Sequence, residues 1–303
     1  MSNIIKAIVV GDLILDSYII GEVHRISPEA PVPVLSQNET FSVLGGALNA
    51  TQNLKNLGVD AIPLGVIGKD TSGEKILEIL SKEKIYSDNI YIDKNFKTST
   101  KIRLASKNHH LLRLDIEEIT SKKDWDNFFL KILENQISNI DFLLISDYGK
   151  GLCSKTLLAN VIKLCNKNNI NIFVDPKGTD YEKYQNSFCI TPNQLEAELI
   201  TGNKLLTNND FEKAAKQIAI NYGIKNCVIT RGPDGLTCFD GNKTFHIKAN
   251  KVDVFDVSGA GDKFISVLAY KISQNESILN SCKYANFEAG KSVKYFGTRE
   301  QKN

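Results

Sequence analysis

Short apolar runs alternate with amphipathic stretches along most of this 303-residue chain. Lys6–Val10 reads as a strand that stops at Gly11-Asp12. Ala47, Ala50, Leu54 and Leu57 fall at helical spacing, and Gly58 follows them, so Gly46–Leu57 predicts a helix. Ala61–Ile67 predicts a strand and Ser72–Glu83 a helix. Further strands are expected at Phe142–Ser146, Ile170–Val174, Phe188–Thr191 and Cys227–Thr230. Helical segments are expected near 123–136, 154–168, 194–201 and 209–222, with two more near 261–273 and 276–294.

Continuously apolar strands between helices predict an α/β fold, with a mostly parallel sheet covered on both faces. Ligands of such sheets bind beyond the carboxyl ends of the strands. The polar residues that follow the strands are Asp12, Asp16, Asp147, Asp175, Thr191 to Asn193 and Thr230 to Gly232. Two stretches break the alternation. Residues 16–36 hold Pro28, Pro31 and Pro33, and residues 97–116 hold the strand-like runs Lys101 to Leu104 and Leu111 to Leu114. Both are expected to form a small β flap over the strand ends. The apolar residues Ile14, Leu15, Tyr18, Ile19 and Ile20 give that flap a surface suited to a homodimer. No linker or repeat divides residues 1–303, which are expected to form one domain.

The 37 basic and 35 acidic residues leave a net charge of +2, too little field to argue for nucleic acid or an anionic membrane as partner. No run approaches the roughly 18 apolar residues that span a bilayer. The first apolar run is too short for a signal peptide. The six cysteines form no CxxC pair, and each lies in an apolar run, as expected of reduced core thiols in a cytoplasmic protein. Five residues are arginine: Arg25, Arg103, Arg113, Arg231 and Arg299. In a chain that solvates its surface with lysine, these are candidates for positions that need a planar, bidentate fork.

Four segments carry candidate chemistry. Gly259-Ala260-Gly261-Asp262 opens an apolar helix, where unpaired N–H groups and the helix dipole favour an anion, and Asp262 would stand beside it. Thr191 to Glu196 reads as a helix start with Thr191 as cap and Gln194 as its capping-box partner. Asn193 and Glu196 then remain to face a hydrated magnesium ion. Gly45-Gly46 before Asn49 suits close approach of a hydroxyl-rich ligand. Thr230, Arg231, Gly232 and Gly235 lie at a strand tip and a tight turn. Each of the four also has an ordinary structural explanation. There is no G-x-x-x-x-G-K-[ST] loop, and no G-x-G-x-x-G follows the first strand.

In this order the segments resemble the PfkB (ribokinase-like) carbohydrate kinases, which carry a glycine pair, an N-x-x-E segment and a D-x-x-G-A-G-D signature. Here these are Gly45-Gly46, Asn193 to Glu196 and Asp256 to Asp262. The likeness is closer to the heptose 7-phosphate kinase branch at Val9 to Asp16, Arg25 to Val34, Thr100 to Leu104, Leu111 to Asp115, Ser146 to Gly151, Asp175 to Asp180 and Gly297-Thr298. The resemblance implies a ribokinase-like fold, ATP and Mg2+ as cofactors, and phosphorylation of D-glycero-β-D-manno-heptose 7-phosphate at C1. That reaction makes a lipopolysaccharide inner-core precursor.

The resemblance makes Asp262 the base and gives Gly259, Ala260 and Gly261 the transferring phosphoryl group. Asn193, Gln194, Leu195, Glu196, Thr230, Arg231, Gly232 and Gly235 go to the nucleotide, with Glu196 towards the metal. Asp12, Asp16, Gly45, Gly46 and Asn49 go to the sugar, and Arg25, Lys101, Arg103 and Lys177 to its 7-phosphate. Two positions depart from the family pattern: Lys263 and Ser266 stand where a small hydroxyl residue and a glycine are usual. Lys263 could bind phosphate or could pair with Asp262. The chain leaves no room for the nucleotidyltransferase domain found in many heptose kinases, so either a stand-alone kinase or a separated domain is expected, with a separate nucleotidyltransferase supplying the second step. A PfkB kinase for another sugar, or a non-catalytic sugar-binding pseudokinase, are the alternatives.

Overall fold

Alternate residues of the first strand, Lys6–Gly11 (β1), serve two different cores. Ile8 and Val10 pack into one hydrophobic cluster, while Ala7 and Val9 pack into another. Phe142–Ser146 (β8 in chain order) repeats the division, with Leu143 and Ile145 on one side and Phe142 and Leu144 on the other. Burial on both faces is why these strands read as continuous apolar runs. The computed structural model describes residues 4–106, 109–250, 252 and 256–293. Gly297-Thr298 and Arg299 lie outside them.

Between β1 and β8 come Leu13–Ile26 (β2), Pro33–Gly46 (β3), Ala47–Asn56 (α1), Asp60–Gly68 (β4), Thr71–Lys82 (α2), Ile90–Asp93 (β5), Ser99–Ser106 (β6), His109–Ile116 (β7) and Lys123–Gln136 (α3). After β8 come Lys155–Lys167 (α4), Asn171–Asp175 (β9), Cys189–Ile190 (β10), Gln194–Thr201 (α5), Asn208–Asn221 (α6), Asn226–Thr230 (β11), Leu236–Phe239 (β12), Thr244–Ile247 (β13), Ala260–Ser273 (α7) and Ile278–Ser292 (α8). The main sheet runs β13-β12-β11-β10-β9-β8-β1-β4-β5. Its strands are parallel from β11 to β5, and β12 and β13 add an antiparallel edge. Helices α3 to α6 cover one face, and α1, α2, α7 and α8 the other.

Register places the site. Gly11 pairs with Ser146, and Ser146 with Asp175, so Asp12, Asp147 and Asp175 meet at one row of carboxyl ends.

A second sheet, ordered β3-β2-β6-β7, stands beside this row. It takes in more chain than the expected flap segments 16–36 and 97–116, because β3 continues to Gly46 and enters α1 directly. Much of β3 is solvent-exposed, so Ser36 to Thr40 show no period-2 apolar pattern by which to recognise a strand. Strands β2 and β6 run parallel, with Asp16 opposite Lys101 and Tyr18 opposite Arg103. The period-2 alternation of strands puts these four side chains on one face.

Candidate active site

Gly259 caps α7 in the left-handed region (φ 76°), and no side chain caps the helix there. Ala260 N donates to Val257 O at 3.2 Å, which leaves Gly261 N and Asp262 N of the first turn as candidate donors to an anion. Asp262, on that turn, is 2% exposed. Asn49 Nδ2 donates to its Oδ2 at 2.7 Å, and Tyr148 Oη lies 3.0 Å from each of its oxygens. Burial pushes its pKa up to about 7, against the two hydrogen bonds that favour the charged form. The field of Asp16 adds to the rise and that of Lys101 opposes it. A carboxylate titrating near neutrality beside an anion site can take a proton from a bound hydroxyl.

The sugar-side candidates divide in two. Asp16, Asn49, Lys101 and Arg103 gather with Asp262. Lys101 Nζ lies 5.3 Å from the centre of the Tyr148 ring, and burial lowers its pKa. Arg103 is closed onto Asp16 at 2.6 Å, with the Tyr18 ring 5.2 Å from its guanidinium carbon. A Cβ at Gly45 would overlap the Asp16 carboxylate, and one at Gly46 would overlap the Asp12 carbonyl. The glycine pair therefore lets β3 pass the carboxylate and turn into α1.

Asp12 has other work. Its Oδ2 accepts from Tyr148 N and Lys150 N at 2.9 and 3.0 Å, and its Oδ1 from Leu152 N at 3.3 Å. Burial, then the nearby Asp147, raise its pKa to about 6. It holds the loop after β8 and does not present a free carboxylate to a ligand.

Two of the four cations expected at a sugar phosphate are elsewhere. Arg25 is exposed, nine residues beyond Asp16 on β2. At about 3.3 Å per residue that is about 30 Å away. Lys177 donates to Glu196 Oε1 at 2.9 Å, on the other side of Asp175.

That other side is the second half of the site. Thr230 N donates to Pro192 O at 2.9 Å, and Thr230 forms a parallel bridge to Asn193, which brings the two predicted nucleotide segments together. The expected capping box is displaced by two residues. Asn193, not Thr191, caps α5; its side chain accepts from Glu196 N, and Glu196 Oε2 accepts from Asn193 N, both at 3.0 Å. Local helix capping thus accounts for the very pair expected to face a metal. Both Glu196 oxygens are engaged. Among the described residues no group of three metal-ligating side chains occurs. Gln194 ties α5 to Leu205 O and Glu198, and Leu195 is exposed.

Arg231 stacks on Phe211 at 4.1 Å and donates to Asn208 Oδ1 at 2.8 Å, so its fork serves the start of α6. Gly232 and Gly235 flank Pro233 and Asp234 in the turn before β12. Asp175 joins the two halves. Its pKa is raised by burial and then by Asp262 and Glu196. A Cβ at Gly261 would lie 3.9 Å from its Oδ2.

Lys263 is buried on α7, while the donors on the Asp262 carboxylate are Asn49 and Tyr148. Ser266 Oγ donates to Ala50 O at 3.2 Å and joins α7 to α1. Tyr148 was not singled out from the sequence. Its signal was an aromatic hydroxyl two residues past a strand end, inside Asp147-Tyr148-Gly149.

The fold is that of the ribokinase-like sugar kinases. Residues 5–303 match the family profile described as "pfkB family carbohydrate kinase", and the chain belongs to that family. "Bifunctional protein HldE" of Desulfatibacillum aliphaticivorans is 37% identical over 297 residues, covering 97% of this chain and 60% of that protein. The protein of the same name in Aliarcobacter butzleri is 36% identical over 292 residues, covering 96% and 61%. The chain thus spans about three-fifths of the length of these relatives. Phosphofructokinase-2 from Escherichia coli, in complex with substrates and products, superposes with a TM-score of 0.77 at 20% identity over 96% of this chain and 93% of that one. Arabidopsis thaliana ribokinase with ribose and ATP gives 0.76 at 18% identity, over 97% and 94%. Both likenesses show the fold.

Proposed function

We propose that the chain phosphorylates D-glycero-β-D-manno-heptose 7-phosphate at C1 with ATP, giving the 1,7-bisphosphate. The observation that carries the reading is Asp262, near-neutral and buried on the uncapped first turn of α7, between Asn49 and Tyr148. The heptose comes from the sequence likeness to that branch, which the HldE relatives support.

The phosphoryl donor supplies the electrophile when bound. Asp262 takes the proton of the anomeric hydroxyl, while the N–H groups of Gly259 and Gly261 face the developing charge and Ala260 N holds the turn through Val257 O. Asp16 and Asn49 orient the sugar. Lys101 is the cation best placed for a sugar phosphate, with Arg103 available if it leaves Asp16. Asn193, Thr230, Gly232 and Gly235 line the nucleotide side, where Lys177 joins them. Magnesium is the expected counter-ion of the nucleotide, with Glu196 as its nearest candidate.

The second sheet acts as a lid and a homodimer interface. Of the residues expected to form that interface, Ile14, Leu15 and Tyr18 are buried within the fold; the edge strand β7 instead exposes Leu111, Leu112, Leu114 and Ile116, which suit a second copy. The reading is of a cytoplasmic enzyme whose product passes to a nucleotidyltransferase. No described helix is long and apolar enough to cross a membrane.

A second reading, a kinase for another sugar or sugar phosphate, is favoured by Arg25 and Lys177 lying away from Asp16. One experiment decides: ADP release across a panel of sugars and sugar phosphates, with the new phosphate located by phosphorus NMR. We expect turnover on the heptose 7-phosphate with a new C1 phosphate. Turnover on ribose or fructose but not on the heptose would sink the first reading.

A further inference from the structure

Tyr148 has no part in the chemistry just described, yet its loop is tied down at three points and its hydroxyl reaches both Asp262 oxygens. Two backbone N–H groups of its loop, its own and that of Lys150, donate to one oxygen of Asp12, and Leu152 N donates to the other. Lys101 lies over its ring. Its hydroxyl stands 3.0 Å from both Asp262 oxygens, while Asn49 donates to Oδ2 alone. One phenolic proton therefore serves two acceptors. When it turns towards Oδ2, Oδ1 is left open to an incoming hydroxyl.

We propose that Tyr148 is a positioning residue for the base: it fixes the plane of the Asp262 carboxylate, holds it in the charged form, and yields Oδ1 to the acceptor hydroxyl of the sugar. The inference rests on the reading of Asp262 as base. Burial raises the phenol's own pKa well above its ordinary value, so Tyr148 remains a donor at every working pH. The groups facing Asp262 are Asp16 from β2, Lys101 from β6, Asn49 from α1 and Asp175 from the end of β9, with Lys263 next to it on α7.

The test is a direct titration of Asp262 by its carbon-13 carboxyl resonance, assigned by its loss in Asp262→Asn. In Tyr148→Phe the midpoint should rise by about one pH unit, because a hydrogen bond to the charged form is lost. The Phe ring keeps the Lys101 contact and the backbone bonds to Asp12. Placing 3-fluorotyrosine at 148, a stronger donor of the same shape, should move the midpoint down. The acid limb of kcat/KM should follow the midpoint in both proteins, with KM for the nucleotide unchanged. An unmoved midpoint in both, with Asp262→Asn inactive, would overturn the inference alone. Wild-type turnover in Asp262→Asn would overturn the base reading and the inference with it.

Discussion

Asn49 Nδ2 donates to Asp262 Oδ2 across 2.7 Å, although 213 positions separate the two residues in the chain. Each sits on the first turn of a helix, α1 and α7, and the two helices meet where Ser266 Oγ reaches Ala50 O. The helix that supplies the anion site is thus fixed to the helix that orients its carboxylate.

Asp262→Asn keeps the shape of the side chain and removes the proton acceptor. Turnover should fall by about 10²- to 10⁴-fold, the contribution of a positioned base. Nucleotide affinity, measured by calorimetry, should stay within a few fold of the parent. Near-wild-type ADP release would take Asp262 out of the mechanism.

The same variant should gain stability, and the gain should depend on pH. A carboxyl whose folded pKa is about 7, against 3.8 as its ordinary value, binds more protons in the native state. Its contribution to stability therefore falls as pH rises from about 4 to about 7. The ionised form at pH 8 costs the parent up to about 4 kcal/mol. Asparagine removes that cost but faces two donors, so part of it returns. The Tm of Asp262→Asn minus that of the parent should be near zero at pH 4 and should grow towards pH 8. A difference that does not vary with pH would show that Asp262 is not strained by burial.

Most of the main sheet was legible in the chain because its strands are buried on both faces and its helices keep one apolar stripe each. Strands β5, β12 and β13 of that sheet were not, nor was most of β3 in the second sheet. Only three of the fourteen β3 residues are fully buried, and β5, β12 and β13 are four-residue strands at the sheet's edges. The site was legible as a set of strand-end residues, but not as a set of partners. Asp12 and Asp16 look alike in sequence, yet one accepts three backbone N–H groups and the other pairs with Arg103. That difference arises from a loop 136 to 140 residues away and from a strand 87 residues away. Glu196 caps α5 together with Asn193, a role that a capping box centred on Thr191 leaves out.

Asp12 should behave as a support and not as a sugar ligand. Asp12→Ala removes the acceptor for Tyr148 N, Lys150 N and Leu152 N in a site 4% exposed. A loss of about 2–4 kcal/mol is expected for such a buried network. Turnover should fall with little change in KM for the sugar, because the damage reaches Asp262 through Tyr148. Urea unfolding and a kcat against KM comparison would check this. A large rise in sugar KM with unchanged stability would restore Asp12 to the ligand set.

Asp16 and Arg103 form a buried pair whose side chains are 10% and 11% exposed. Removing one partner strands the other's charge, at about 3–5 kcal/mol, whereas replacing both by apolar groups of similar volume is often close to neutral. Arg103→Met should therefore destabilise strongly, and Asp16→Leu combined with Arg103→Met should recover most of the loss. A double-mutant cycle in urea measures that coupling directly. Steady-state kinetics on a phosphorylated and an unphosphorylated sugar then separate two roles. If Arg103 serves only to hold Asp16, Arg103→Met should affect both substrates alike. If it leaves Asp16 to read a phosphate, KM should rise selectively for the phosphorylated one. Since the guanidinium is already closed on Asp16 and stacked beside Tyr18, we expect the first result, with Lys101→Met carrying the phosphate-selective loss instead.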